Sequence, residues 1–427
     1  MKLWDKGFST DKKIDRFTVG NDRELDLHLA KYDLIASKAH AKMLAEVGLI
    51  EPGESAELIK ALEEIAKEVE KGNFTIGEDF EDMHSRIEFL LTEKLGDTGK
   101  KIHTARSRND QVLVAVQLYL KEELTQIKAG TLRLFELLIS LSERHKKVLL
   151  PGYTHLQIAM PSSFGLWFSA YAESLVDDVH LLNAAYRVAD QNPLGSAAGF
   201  GSSFPIDRES TTREMGFGTL KYNVVAAQMG RGKVERATAF GIASLAATLS
   251  KLAMDICLYM NQNFDFISFP NELTTGSSIM PHKKNPDVFE LIRAKCNRIQ
   301  GVPNELILIT NNLPSGYHRD LQLVKEVIVP ALGEIQACLE MMTFSLREIR
   351  VNQNILEDPK YDHLFSVDTL NELVKGGMPF RDAYKTMGQA IENGNFTPKR
   401  DIHHTHQGSL GNLCLDQIVA KMEKALI

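Results

Sequence analysis

The chain is short of cysteine, tryptophan and surplus positive charge, and each shortage removes a class of function. Its four cysteines, Cys257, Cys296, Cys338 and Cys414, are widely spaced and form no CxxC pair. That argues against a disulfide framework or a cysteine zinc site and fits a reducing compartment. A formal net charge of −7 gives nucleic acid or an anionic membrane no global attraction. An anionic ligand therefore needs local cations. No uninterrupted apolar run reaches the length of a membrane span, and the start MKLWDKGFSTDKK lacks the apolar stretch of a signal peptide. The expected location is the cytoplasm. There is no nucleophile elbow, phosphate-binding glycine loop or HExxH. His403, His404 and His406 crowd together without an acidic or cysteine partner at ligand spacing, so no metal and no cofactor are expected.

What is present is helix. In AELIKALEEIAKEVEKG, apolar residues recur at Leu58, Leu62, Ile65 and Val69, one helix face, with Gly72 placed to end it. A shorter helix is read through EDMHSRIEFLLTEKLG. From Asp110 to about Lys147 there is no proline, and Leu113, Val116, Leu120, Leu124, Ile127, Leu134, Leu138 and Leu141 follow a three-four rhythm. That is one helix of roughly 35 residues, about 50 Å long. Four further long helices are expected near 163–190, 231–262, 286–312 and 319–357. Stretches such as FGIASLAATLSKLAMDICLYM are apolar nearly all round and call for burial on every side. The expected fold is all-α: a central long five-helix bundle over 108–350, flanked by smaller helical domains at 1–107 and 351–427. Self-association would bury the remaining apolar faces.

Four segments gather polar groups where helices begin or end. HTARSRNDQ, residues 103–111, sets Arg106, Arg108 and Asn109 at the start of the long helix, whose free N–H groups favour an anion. The same residues also fit a plain charged N-terminus capped by Asn109 or Asp110. PGYTHLQIAMP, residues 151–161, reads as a proline-bounded turn holding Thr154 and His155. TGSSIMPHKKNPDVFELIRAK packs two serines and two lysines between glycine and proline breaks, with a helix starting at Pro286. SGYHRDLQLVKE carries Tyr317, Gln322 and Lys325 near a helix start, where a solvated face is the simple alternative.

Together these four segments resemble the fumarase/aspartase superfamily and, within it, the argininosuccinate lyase/δ-crystallin family. The likeness runs from SKAHAKML to PFRDAY. GSSIMPHKKNP is shared in form across the superfamily and so speaks for the chemistry. RSRNDQ, YTHLQ and the run from Tyr317 to Lys325 speak for the substrate. The chain departs from the family pattern at Asp5-Lys6-Gly7-Phe8, where GGRF is common. It departs again at His282, where glutamine is frequent, and at Ile158 and Met160.

The resemblance implies a homotetramer with active sites shared between three subunits and β-elimination of argininosuccinate to arginine and fumarate. It implies Ser277 as base and Lys283 as the cation that stabilises charge on the substrate carboxylate. His155 would work on the acid side, paired with Glu290. Which of His155 and Ser277 takes the carbon-bound proton stays open. Arg106, Arg108, Asn109, Thr154, Ser278 and Asn285 would contact the substrate's carboxylates, and Tyr317, Gln322 and Lys325 its arginine-derived end. A non-catalytic structural protein on the same fold is the alternative of another class. Intact His155, Ser277, Lys283 and Glu290 argue against it.

Overall fold

The computed structural model describes residues 11–402 and 404–426. Helices dominate, and the strands among the described residues form three two-stranded ribbons. The chain divides into two compact units. The first comprises 1–127, 181–244 and 298–335; the second comprises 128–180, 245–297 and 336–427. The longest helix, Arg108–His145, contributes to both. All eight apolar residues that set its rhythm are buried, from Leu113 at 2% exposure to Leu141 at 1%.

In the first unit, helices Ala30–Glu46 and Pro52–Glu70 pack together. The second begins with a reciprocal cap between Glu51 and Glu54 and has proline in its first turn. It ends as the sequence predicts. Gly72 takes φ +73°, its N–H reaches Val69 O, and Asn73 N–H reaches Glu68 O, closing a Schellman turn. In the second unit, Phe164–Ala189 and the latter part of Lys233–Tyr259 meet through Asp255. Its Oδ2 accepts from Trp167 Nε1 at 3.0 Å and from Tyr171 Oη at 2.6 Å.

Three expected segments differ. The stretch 286–312 is two helices, Asp287–Ile299 and Val302–Thr310. Pro303 has no N–H to continue the first, and instead serves in the first turn of the next. The fifth helix ends at Leu346, because Arg350–Val351 pairs antiparallel with Ile267–Ser268. PGYTHLQIAMP is a hairpin, Leu149–Thr154 against Gln157–Ser163, with a bulge between Pro151 and Tyr153. By length and composition Lys233–Tyr259 and the run Arg319–Leu346 would pass for membrane spans. Leu245, Ala246, Leu249, Leu252, Ala253 and Ile256 of the first are nevertheless fully buried core residues. The Asp5–Phe8 departure lies outside the described residues.

Candidate active site

The predicted residues fall into two groups. Arg106, Arg108, Asn109, Tyr317, Gln322 and Lys325 line one cleft of about 620 Å³ in the first unit. Thr154, His155, Ser277, Ser278, Lys283, Asn285 and Glu290 lie on the hairpin, the loop and a helix start in the second.

The cleft is built around the start of the long helix. Ser107 caps it, rather than Asn109 or Asp110. Ser107 Oγ accepts from Asn109 N at 3.3 Å while Asp110 Oδ1 accepts from Ser107 N at 2.9 Å. Asp110 is displaced from the cap because it has other work. Its Oδ2 accepts from Gly195 N at 3.0 Å and Ala197 N at 2.9 Å, fixing a loop whose Ala197, Ala198 and Gly201 also line the cleft. Complete burial pushes the Asp110 carboxyl up, against these hydrogen bonds and Arg106.

Arg106 is 8% exposed. Its Nη1 donates to Ser37 Oγ at 3.0 Å, whereas Nε and Nη2 have no hydrogen-bond partner. Behind it, Asp33 Oδ1 lies 3.9 Å from Nη2 and 2.8 Å from His84 Nδ1. Burial tends to raise the Asp33 carboxyl, but His84 and then Arg106 outweigh it and hold it low. Arg108 is paired with Asp82 and donates to Ser85 Oγ at 3.1 Å.

Lys325 is buried rather than solvated. Its Nζ sits 2.6 Å from Asp26 Oδ1 and 2.8 Å from Asp22 Oδ1. Burial works to lower its pKa, and Asp26 and Asp22 more than offset that. Burial pushes Asp22 up to about 6; Lys325 holds it down and Asp26 adds to the rise. The Gln322 amide donates to Thr18 O at 2.9 Å and Val19 O at 3.0 Å, which fixes this side chain at the wall of the cleft. Arg231 and Arg319 complete the lining with Glu81 and Asp82. Asp22, Asp26 and Arg231 were not singled out from the sequence. The four-residue spacing of Asp22 and Asp26 on one helix face, and the glycines around Arg231 in MGRGK, were the available signals.

In the second unit His155 and Leu156 form the two-residue turn of the hairpin, with φ +54° and +57°. Such turns usually hold Asn-Gly. Thr154, His155 and Leu156 are all exposed, as are Lys283 and Glu290. Glu290 Oε1 has Arg293 Nη2 4.0 Å away. Ser277 Oγ accepts from Met280 N at 3.1 Å and Ile279 N at 3.3 Å. Two N–H donors on a hydroxyl oxygen stabilise negative charge there, which a serine base requires. Asn285 is turned inward to its own loop, donating to Gly276 O at 3.2 Å. Among the described residues no group of three His, Cys, Asp or Glu converges as a metal site. His404 is instead bound through Nε2 to Asp368 Oδ1 at 2.8 Å, and His403 lies outside the described residues.

The all-α scaffold thus presents a cleft holding several cations and, on its exposed loop, a serine whose Oγ accepts from two backbone N–H groups. A family model described as lyase matches residues 7–301. The fold is shared with EDDS lyase, at a TM-score of 0.77 and 21% identity, over 98% of this chain and 90% of that one. It is also shared with the class II fumarase of Schistosoma mansoni, at 0.73 and 17%, over 96% and 94%. Curated relatives are nearer in sequence. The argininosuccinate lyase of Parabacteroides distasonis is 57% identical over 100% of this chain and 95% of its own length. That of Xanthomonas oryzae is 38% identical over 99% and 98%. The chain belongs to the argininosuccinate lyase family.

Proposed function

We propose that the chain is a carbon–nitrogen lyase that splits argininosuccinate into arginine and fumarate by β-elimination, the last step of arginine biosynthesis. The observation that carries this reading is the cleft: Arg106, Arg108, Asn109 and Lys325 gather in a chain of net charge −7. Its substrate has three carboxylates and a cationic end. The four acids of the same lining hold its cations in place: Asp22 and Asp26 hold Lys325, Asp82 holds Arg108 and Glu81 holds Arg319.

Removing a proton beside a carboxylate requires that negative charge spread onto it. Lys283 supplies the cation for that carboxylate, and Ser277, its oxygen already in two N–H bonds, is the base. His155 serves the acid side or orients water, with Glu290 as its carboxylate. Thr154, Ser278 and Asn285 hold the succinyl carboxylates; Tyr317, Gln322 and Lys325 hold the arginine-derived end. Asn285 must release Gly276 O to do so, which fits a loop that rearranges as it closes. The working form is a cytoplasmic homotetramer in which different subunits supply the cleft, the hairpin and the loop. In it the three regions 1–107, 108–350 and 351–427 act as flanking domain, oligomer core and small terminal domain. The exposed His155 and Lys283 are what such sharing needs.

The test is direct. Fumarate should appear when the protein meets argininosuccinate and not when it meets adenylosuccinate. Release from adenylosuccinate alone, or from neither, overturns the assignment.

A further inference from the structure

The loop carrying Ser277 and Lys283 is exposed along most of its length, yet its two stems are tied. Thr275 N donates to Asn285 O at 3.3 Å, and Asn285 N returns to Thr275 O at 2.8 Å, an antiparallel bridge across the neck. Asn285 Nδ2 adds bonds to Gly276 O and, at 3.4 Å, to Thr275 Oγ1. Thr275 Oγ1 in turn donates to Asp287 Oδ2. Asp287 opens the helix Asp287–Ile299, where a carboxylate is favoured by the free N–H groups of the first turn. Phe289 and Ile292 of that helix are buried, at 1% and 3% exposure, so Asp287 stands on a fixed element.

We propose that Thr275 and Asp287 are positioning residues for the elimination: their hydroxyl–carboxylate bond clasps the loop neck to a helix anchored by its buried face and so sets where Ser277 and Lys283 are carried. This rests on the reading of Ser277 and Lys283 given above. The nine residues from Gly276 to Lys284 form the arc that moves, and the clasp is its fixed end. Gly276, the first residue beyond the neck, has nothing within 4 Å of where a Cβ would stand, so the arc leaves the neck into open space. Opening the neck would let both reacting groups wander. A displacement of about 1 Å at a reacting group costs on the order of 10²-fold in rate. Arg106, Arg108, Tyr317, Gln322 and Lys325 of the cleft lie outside the loop and keep their places, whereas Ser278 and Asn285 belong to it, so part of the binding should weaken with the rate.

Thr275→Val removes the hydroxyl and keeps the shape, whereas Thr275→Ser keeps the hydroxyl. Two measurements read the proposal: steady-state kinetics with argininosuccinate, and tryptic cleavage after Lys283 and Lys284 in the ligand-free protein. Thr275→Val should lower kcat by about ten- to a hundredfold and raise KM by a smaller factor, as Ser278 and Asn285 shift with the loop. The same variant should be cut several times faster at the two lysines, with an unchanged melting temperature. Thr275→Ser should restore both readings. Wild-type kcat or wild-type cleavage in Thr275→Val overturns the proposal, as does failure of the serine variant to rescue. The cleavage arm needs no turnover. If the wild type released no fumarate, the reaction assignment would fail, while the clasp itself would still be read.

Discussion

The cleft of the first unit and the loop arc of the second solve opposite problems with similar side chains. In the cleft, Lys325 and Arg108 are already bound to Asp22, Asp26 and Asp82, and Arg106 is buried with Asp33 behind it. In the arc, Lys283 is exposed and makes no ion pair among the described residues. A prepaired, buried cation is rigid and selective, because any ligand must compete with its fixed partners. A free cation on a mobile arc binds little alone but keeps its full charge for the moment of reaction. On the proposed reading, the cleft's prepaired cations serve recognition of one end of the substrate and the loop's free cation serves the chemistry.

The most severe test of this division is Ser277→Ala. Fumarate release should fall about 10³-fold while the melting temperature and oligomeric state stay as they are. Turnover like that of the wild type would take Ser277 out of the mechanism. Next is a matched pair of lysines. Lys325→Ala leaves Asp22 and Asp26 buried and unpaired, and should cost about 3–5 kcal/mol of stability in chemical denaturation. Lys283→Ala should change stability by less than about 0.5 kcal/mol and lower kcat by about 10²-fold. If the two lysines exchanged these effects, the contrast would collapse.

A smaller effect tests how Lys325 is used. As pH falls through about 6 the Asp22 carboxyl takes up a proton, leaving Lys325 with one charged partner instead of two. If Lys325 holds a substrate carboxylate, KM should fall several-fold over that range, and Asp22→Asn should flatten the curve. A KM that rises on acidification would make this end of the cleft a cation site. Stability has its own sign here. Because the folded value, about 6, lies above the ordinary 3.8, the stabilisation is full below 3.8 and is lost as pH climbs through 6. Smallest of all, Leu156→Gly should raise stability by up to about 1 kcal/mol in thermal unfolding, since glycine accepts the positive φ that leucine resists.

The contrast also marks what the sequence could reveal. The rhythm from Leu113 to Leu141 is a local property of one helix, and every one of those positions is buried. The Ser277–Pro286 segment was visible because its glycine and proline breaks surround the reacting groups within a dozen residues. The cleft was half visible. Arg106, Arg108 and Asn109 announce themselves as a cluster, but nothing near Lys325 foretells that Asp22 and Asp26 hold it. Nor does anything near Asp110 foretell Gly195 and Ala197. The hairpin reads as a turn in the sequence because of its two prolines, yet these face each other next to the bulge, where they leave the rest of the pairing intact.

The closing bonds of the cleft reach far along the chain. Gln322 meets Thr18 across 304 positions, and Lys325 meets Asp26 across 299. At about 5–20 residues per second on the ribosome, roughly 15–60 s pass between the emergence of the first partner and the second. Throughout that interval Asp22 and Asp26 have no lysine, and the first helices lack one wall. A nascent chain stopped short of residue 325 should thus present an acidic, incomplete surface to chaperones, and only once Lys325 has emerged can both carboxylates be paired.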